Sequence, residues 1–475
     1  MTRTTRRTFL GQSLLGGAAA ASGLTGLSWA GSGMRASQDP IRIGVVGVRG
    51  RGRGHIGAFK QSPDAEVVAI CDVDEGVIGP AMKSVPEARY FRDLRELLDD
   101  KSIDAISVAT PNHWHSLATI WALQAGKHVY VEKPISHNIF EGRQVVKAAA
   151  KYGRIVQHGT QSRSSGATRD AIAWMHAGGL GKVHTARGLC YKRRESIGKV
   201  TGSQEPPKTA DYNLWTGPAE LVPLRRKSLH YDWHWDFLTG CGDLGNQGVH
   251  QVDIARWGLG KSGLPKHVRS YGGRVGYDDD GNTPNSMVSV YDYGDSQIIF
   301  EVRGLPTPDY KGAAIGVVFH GEKGYLVSAS YEKLQAFDHE GQVIETFTGG
   351  GNHFQNFLDA IRADDSGLLN APCLEGHISS SLCHLGNVSY RLGSSEVLAK
   401  TEAPFPNLPG GAEVFGGMCE HLITNGVDAK SAKIVAGVPL DFEPEAEQFT
   451  GDHAAEANRM LGRDYRAPFV VPAEV

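Results

Sequence analysis

One stretch restricts this chain to few folds: a short apolar strand runs into a turn crowded with glycine, then a helix, then a second strand closed by an acid. The stretch is IRIGVVGVRGRGRGHIGAF, from Ile41 to Phe59. Gly47 and Gly52 fit the first and third positions of a G-x-G-x-x-G turn, Arg49 holds the second, and Gly50 and Gly54 add to the crowding. The next strand, AEVVAICDVDE, ends at Asp72, 20 residues after Gly52. Such a turn lets the backbone approach a pyrophosphate at a helix N-terminus, and an acid at that distance accepts hydrogen bonds from an adenosine ribose. Gly47, Arg49, Gly50, Arg51, Gly52 and Asp72 are therefore read as dinucleotide-binding. Asp72 repels a 2′-phosphate and favours NAD. Arg49, Arg51 and Arg53 can pair with that phosphate, which leaves NADP as the alternative.

Further strand–helix units follow. IDAISVATPNHWH reads as a strand ending in Thr110-Pro111-Asn112, with His115 just beyond. HVYVEKP alternates as a buried strand and then breaks into Glu132-Lys133-Pro134, while IVQHGTQSRS brings Gln161 and Arg163 to another strand end. Ligands of open α/β sheets lie beyond the carboxyl ends of the strands. Thr110, Pro111, Asn112, His115, Glu132, Lys133 and Gln161 are thus expected along one edge, with Lys133 beside a nicotinamide.

The N-terminus reads as a targeting segment. TTRRTFL carries a twin-arginine pair, an apolar small-residue run follows, and Ser28-Trp29-Ala30 resembles a cleavage site. Residues 1–30 are expected to be a Tat signal, with export to the periplasm and the Tat machinery as a partner. The expected domains are 31–160, dinucleotide-binding, and 161–475, an α/β substrate and oligomerisation domain. A formal charge of -3 gives no reason to expect nucleic acid, and no later apolar run is long enough to span a bilayer. The six cysteines show no zinc spacing and no metal is expected; Cys373 and Cys383 are within reach of a pairing that sequence does not decide.

With ATPNHWH, AGKHVYVEKP and the later GDLGNQGVHQVDIARW added to the glycine turn and Asp72, the chain resembles the Gfo/Idh/MocA oxidoreductases. The resemblance implies a Rossmann domain followed by an α/β domain with a large, mostly antiparallel open sheet that often mediates homo-oligomers. It also implies catalysis by the lysine of Glu-Lys-Pro, here Lys133, and by a histidine, here His250. Two departures stand out. Where relatives commonly carry Asp four residues before that histidine, this chain has Asn246, which orients by hydrogen bonds but is no base. Arg49 replaces the second glycine.

Oxidising a secondary alcohol requires a base for the hydroxyl proton and a cation for the developing alkoxide; His250 and Lys133 supply both. Asn246 or Asp253 is expected to orient the imidazole. Lys133, His250, Arg163, Lys192 and the Trp233 and His234 of LHYDWHWDF are the expected substrate contacts, the aromatics stacking on sugar faces. A core role for these aromatics is the bland alternative. Three functions remain open at this point: a periplasmic NAD(P)-dependent oxidoreductase of a sugar with tightly held cofactor, a glycosidase or lyase working through transient oxidation, and a non-catalytic dinucleotide-binding protein.

Overall fold

The computed structural model describes residues 39–402 and 410–475, which belong to one compact unit. The twin-arginine stretch and cleavage site lie outside the described residues. Six short strands, β1 (Ile41–Val46), β2 (Ala65–Cys71), β3 (Arg89–Phe91), β4 (Ala105–Val108), β5 (His128–Val131) and β6 (Val156–His158), form a sheet in the order β3-β2-β1-β4-β5-β6. All its pairings are parallel. This is the doubly wound arrangement whose order reverses between β1 and β4. The apolar runs follow from it, because helices cover both faces and leave no water-facing side.

The connecting helices are α1 (Arg51–Lys60), α2 (Gly79–Ser84), α3 (Leu94–Asp99), α4 (His115–Gln124) and α5 (Ile139–Tyr152). Helix α5 shows how local sequence sets such an element. Asn138 caps it by accepting from Glu141 N, and Gly153 ends it at φ +57°. Gly47, at φ +83°, makes the sharp exit from β1; a Cβ there would stand 2.7 Å from Ala109 O.

Beyond β6, α6 (Gly166–His176) leads to a twelve-stranded mixed sheet. Its strands are β7 (Val183–Cys190), β8 (His267–Gly273), β9 (Ser286–Asp292), β10 (Gln297–Arg303), β11 (Ile315–Gly321), β12 (Gly324–Ser328), β13 (Lys333–Phe337), β14 (Val343–Thr348), β15 (Ser394–Val397), β16 (Lys433–Ala436), β17 (Leu440–Glu443) and β18 (Gln448–Thr450). The path runs β14-β13-β12-β11-β7-β10-β9-β8-β16-β15, with β17 on β8 and β18 on β17. Only β7 and β10 pair in parallel, so the sheet is mostly antiparallel as expected.

Between β7 and β8 lie α7 (Tyr212–Thr216), α8 (Gly242–Asn246) and α9 (Gly248–Gly258). Later come α10 (His353–Ala363), α11 (Cys373–Arg391), α12 (Gly411–Thr424) and α13 (Ala454–Arg459). Helices α9 and α11 are almost wholly buried between the two sheets' cores. Two segments cross the expected boundary at 160. Phe354, Phe357 and Leu358 of α10 pack with Ile43, Ile56 and Phe59, while Phe469 and Val471 pack with Leu117 and Val145. Burial of each such side chain stabilises by roughly 1.5–3 kcal/mol, which ties the later chain to the first sheet. All six cysteines, Cys373 and Cys383 included, are free thiols. No described helix is long and apolar enough to cross a membrane.

Candidate active site

The carboxyl ends of β1, β2, β4 and β5 open into a cleft of about 540 Å³. Gly47, Arg49, Gly50, Arg51, Asp72, Thr110, Pro111, Asn112, His115, Glu132, Lys133 and Gln161 line it along the strand ends of the first sheet, and Trp233, Asn246 and His250 line it from the second domain. At Gly50, the N-cap of α1, no side chain closes the helix end, and a Cβ would meet nothing within 4 Å. Gly52 has the opposite reason for being glycine: a Cβ would run into Gly47 O. The turn is thus tight on its inner side and open toward the cleft. Asp72 accepts from Val48 N at 2.8 Å and from Asp74 N at 3.1 Å, which fixes its carboxylate at the end of β2. Burial raises its pKa.

Four polar atoms on this lining are buried without a hydrogen bond: Thr110 Oγ1, Asn112 Oδ1, Gln161 Oε1 and His250 Nδ1. These atoms are closed off from solvent behind the lining, and what fits a dinucleotide is the open glycine turn at the N-terminus of α1 together with the pinned carboxylate at the end of β2. Gly50 and the start of α1 would hold its pyrophosphate and Asp72 its ribose.

At the other end lies the reactive pair. Lys133 donates to the backbone carbonyl of Asn246 at 2.6 Å. Burial lowers its pKa, against the opposing charge of Glu132. His250 is buried, and burial followed by the charge of Lys133 pushes its pKa down to about 3. The imidazole is therefore held neutral at physiological pH, and at that value it is a weaker base than an ordinary histidine. Glu132 is already engaged. It accepts from Arg51 Nε at 2.7 Å and lies 3.0 Å from His55 Nε2, and His55 Nδ1 meets Ser107 Oγ at 2.7 Å. Burial opposes its charge, but His55 and Arg51 outweigh that and hold its pKa well below the carboxylate range. His115 bridges the two strand ends, with Nδ1 2.6 Å from Pro134 O and Nε2 2.8 Å from Thr110 O. It shapes the cleft rather than presenting a free nitrogen.

Several expected site residues lie elsewhere. Asp253 is not on the cleft. Its carboxylate accepts from Arg163 Nε at 2.8 Å and Nη2 at 2.9 Å and from Ser379 Oγ at 2.6 Å. Both charges are buried and satisfied, and Arg163 also holds Glu375 at 2.8 Å. Arg163 is therefore no free substrate contact, and Asp253 orients Arg163, not His250. Lys192 is exposed and outside the lining. His234 is buried in contact with Tyr231 and Trp235, with Nδ1 bonded to Tyr231 O, and of the expected pair Trp233 and His234 it is Trp233 that reaches the cleft.

Leu214, Trp215, His230, Tyr231, Gln247 and Tyr331 join the lining unforeseen. The aromatic density of LHYDWHWDF was the signal for His230 and Tyr231; Tyr331, in the β12–β13 turn, had none. Tyr231 stands at φ +66°, a strained value for a non-glycine, and its hydroxyl accepts from Arg194 at 3.0 Å. The segment carrying Trp215, His230 and Tyr231 is laced to the end of β2. His230 Nε2 lies 2.7 Å from Asp74 Oδ2, Thr209 donates to Asp74 Oδ1 at 2.6 Å, and Asp211 N donates to Val73 O at 2.9 Å.

Residues 41–160 match the model of the oxidoreductase family with an NAD-binding Rossmann fold, and residues 182–409 match the C-terminal α/β domain of the same family. The chain belongs to the Gfo/Idh/MocA oxidoreductase family. Its first domain is accordingly an NAD-binding Rossmann domain. Curated relatives include an α-N-acetylgalactosaminidase of Shewanella oneidensis, 32% identical over 120 residues, and a glycosyl hydrolase family 109 protein of Shewanella pealeana, 32% identical over 122 residues. These alignments cover 23% and 24% of this chain, and 26% and 27% of those proteins, so the chain spans about a quarter of the curated relatives it matches. Among solved structures, the WlbA dehydrogenase of Bordetella pertussis in complex with NADH and UDP-GlcNAcA superposes with a TM-score of 0.56. It is 21% identical and covers 73% of this chain and 95% of that one. GenD2 from gentamicin A biosynthesis, in complex with NAD, has a TM-score of 0.55 at 19% identity and covers 73% of this chain and 93% of that one. Both are likenesses of fold.

Proposed function

We propose that this chain is an exported oxidoreductase acting on the CH–OH group of a sugar or sugar derivative, with its cofactor held tightly. Bound NAD would supply the hydride acceptor. The observation that carries the reading is that Lys133 and a neutral His250 line the same cleft as the glycine turn and Asp72. Lys133 orients the substrate hydroxyl and stabilises negative charge on its oxygen, and His250 takes the proton. Asn246 contributes a carbonyl that aims Lys133. The laced segment over the end of β2 encloses the dinucleotide cleft and favours retention of the cofactor.

The curated relatives named as glycoside hydrolases favour a second reading on the same site. In it, oxidation by bound NAD would give a ketone and acidify the neighbouring C–H, loss of that proton would expel the aglycone as an alcohol, water would add to the enone left behind, and return of the hydride would restore the sugar. Native mass spectrometry of folded protein identifies the bound cofactor. Product masses from a sugar screen then separate the readings: a ketone or lactone supports net oxidation, and a cleaved glycoside with no net redox change supports the second. No turnover with cofactor bound overturns both.

Export by the Tat pathway belongs to the same proposal and rests on Arg6 and Arg7. Replacing both by Lys should leave precursor in the cytoplasm, and unchanged periplasmic yield overturns it. Self-association through the second domain is also proposed. β14 is an edge strand with Val343 and Ile344 exposed, and sedimentation reads the outcome.

A further inference from the structure

Asp72 and Asp74 stand two residues apart after β2 and serve different ends. Asp72 lines the cleft, whereas Asp74 is not among the lining residues and is 2% exposed. The Asp74 carboxylate is filled by protein donors. Oδ1 accepts from Gly76 N at 2.9 Å and from Thr209 Oγ1 at 2.6 Å, and Oδ2 lies 2.7 Å from His230 Nε2. Thr209 and His230 belong to the second domain's excursion between β7 and α8. A buried acid beside the ribose acid is thus given over to a segment from the other domain.

The backbone repeats that link. Glu75 N donates to Thr209 O at 3.1 Å, Asp211 N donates to Val73 O at 2.9 Å, and Arg92, just past β3, donates to Thr209 O at 3.2 Å. Farther along the segment, Trp114 Nε1, just past β4, donates to Trp215 O at 3.0 Å. In the sheet β1 lies between β2 and β4, so residues 209–215 are anchored on both sides of the strand whose end carries the glycine turn. Between the anchors, Leu214 and Trp215 line the cleft together with Val73, Leu94 and Pro111. This is the half of the cleft where Asp72 would receive the adenosine ribose; Lys133 and His250 line the other half.

We propose that residues 209–215 are a gate over the adenosine half of NAD, latched shut by Asp74. Asp72 sets how tightly the dinucleotide binds, and Asp74 sets how fast it enters and leaves. Opening the gate is a local unfolding event whose free energy is set by the bonds it breaks, two of them to a buried carboxylate. A closed gate obstructs entry as much as exit, so it slows exchange in both directions. This rests on the reading of a tightly held cofactor and names the device that holds it; it is independent of the substrate.

The test loads the folded protein with NADH and follows its fluorescence as excess NAD displaces it; mixing apoprotein with NADH gives the entry rate. Asp74→Ala removes the latch. Release should become at least ~10-fold faster, the effect of losing one hydrogen bond to a charged group. Entry should quicken by a similar factor, so Kd moves far less than either rate. A crosslink supplies a second arm. Asp74 and Ala210 are paired across an isolated antiparallel bridge, and Cα atoms so paired stand ~4.5–5.5 Å apart, within disulfide range. In the double variant Asp74→Cys, Ala210→Cys, oxidation should slow release and entry at least ~10-fold below the parent, and reduction should speed both above it. Equal rates in the parent, in Asp74→Ala and in both redox forms of the cysteine pair overturn the gate. So does an Asp74→Ala protein that releases NADH faster with entry unchanged, since the segment is then only one more contact with the ligand. Fast release from the parent that oxidation of the cysteine pair still slows keeps the gate and overturns tight retention. Slow release that no variant alters keeps retention and overturns the gate.

Discussion

Lys133 reaches across the cleft to the backbone carbonyl of Asn246, 2.6 Å away, and not to the Asn246 side chain. The end of α8 thus aims the ammonium whatever side chain position 246 carries. Asn246→Asp should accordingly keep turnover within a few-fold of the parent. The new carboxylate would stabilise the charged forms of both Lys133 and His250, so the acid limb of the pH profile should move up. Steady-state rates from pH 4 to 9 check this, and a loss beyond a hundredfold would show that the amide itself contacts substrate.

Lys133→Met keeps the aliphatic length and removes the charge. Turnover should fall ~10²–10³-fold, the usual size for one such electrostatic group. Cofactor occupancy should hold, since Gly50, the start of α1 and Asp72 are untouched. Because the Lys133 charge is second only to burial in depressing His250, the imidazole should titrate higher in the variant. His250→Ala should cost ~10²–10⁴-fold through lost proton transfer. The double variant should lose less than the product of the two, because both groups act on one hydroxyl. Single-turnover hydride transfer is the measurement, and a wild-type rate in Lys133→Met would reduce Glu-Lys-Pro to a strand terminator.

Much of this site was legible in the chain because strand ends in a doubly wound sheet share one edge. Gly47, Asp72, Thr110, Glu132 and Lys133 need only their strands to be recognised in order. Arg163 and Asp253 misled for a physical reason. Each reads as a free charge near a motif, and only the packing of the turn after β6 against α9 shows that they neutralise each other. Tyr331 was out of reach because it arrives from a turn of the second sheet, about 200 residues after Lys133. The second sheet itself followed from the family resemblance; alternation alone does not order ten strands along a path with one parallel pair.

The Arg163–Asp253 pair yields its own test. Asp253→Ala leaves a buried guanidinium with Glu375 as its remaining carboxylate. Breaking a buried ion pair costs ~3–5 kcal/mol. Denaturant unfolding should show a loss of that order, while kcat per folded molecule stays within a few-fold. A large fall in kcat with unchanged stability would return Asp253 to the catalytic machinery.

Acid should destabilise the fold before it protonates His250. Burial pushes His113 and His384 down to about 3, like His250, and lowers His158 to about 4. In the unfolded chain each histidine binds its proton near pH 6.5. Between those values the unfolded state holds more protons than the folded one, so stability falls as pH drops through 6.5 and goes on falling toward 4. Each deeply buried histidine contributes on the order of a few kcal/mol to that slope. Melting temperatures at pH 7.5, 6, 5 and 4 should decline steadily. A flat profile would mean that these imidazoles are already protonated or exposed.

Cofactor choice rests on Asp72. Its carboxylate is pinned by two backbone N–H groups at the end of β2, so it cannot swing aside for a 2′-phosphate. A ribose diol can donate to it; a phosphate there would be a second anion beside the first. Arg49 is exposed on the turn and lines the same cleft, and it is the residue able to offset that repulsion. Asp72→Ser removes the charge and keeps a small polar side chain. NAD affinity should fall ~10–150-fold, since a hydrogen bond to a charged group contributes ~1.5–3 kcal/mol. NADP affinity should rise at the same time, and a second change, Arg49→Ala, should cancel that rise while leaving NAD nearly unaffected. Equilibrium titration of apoprotein with each dinucleotide gives all four values. If the parent prefers NADP, or if Asp72→Ser shifts both cofactors equally, Asp72 holds the turn together but does not select the ribose.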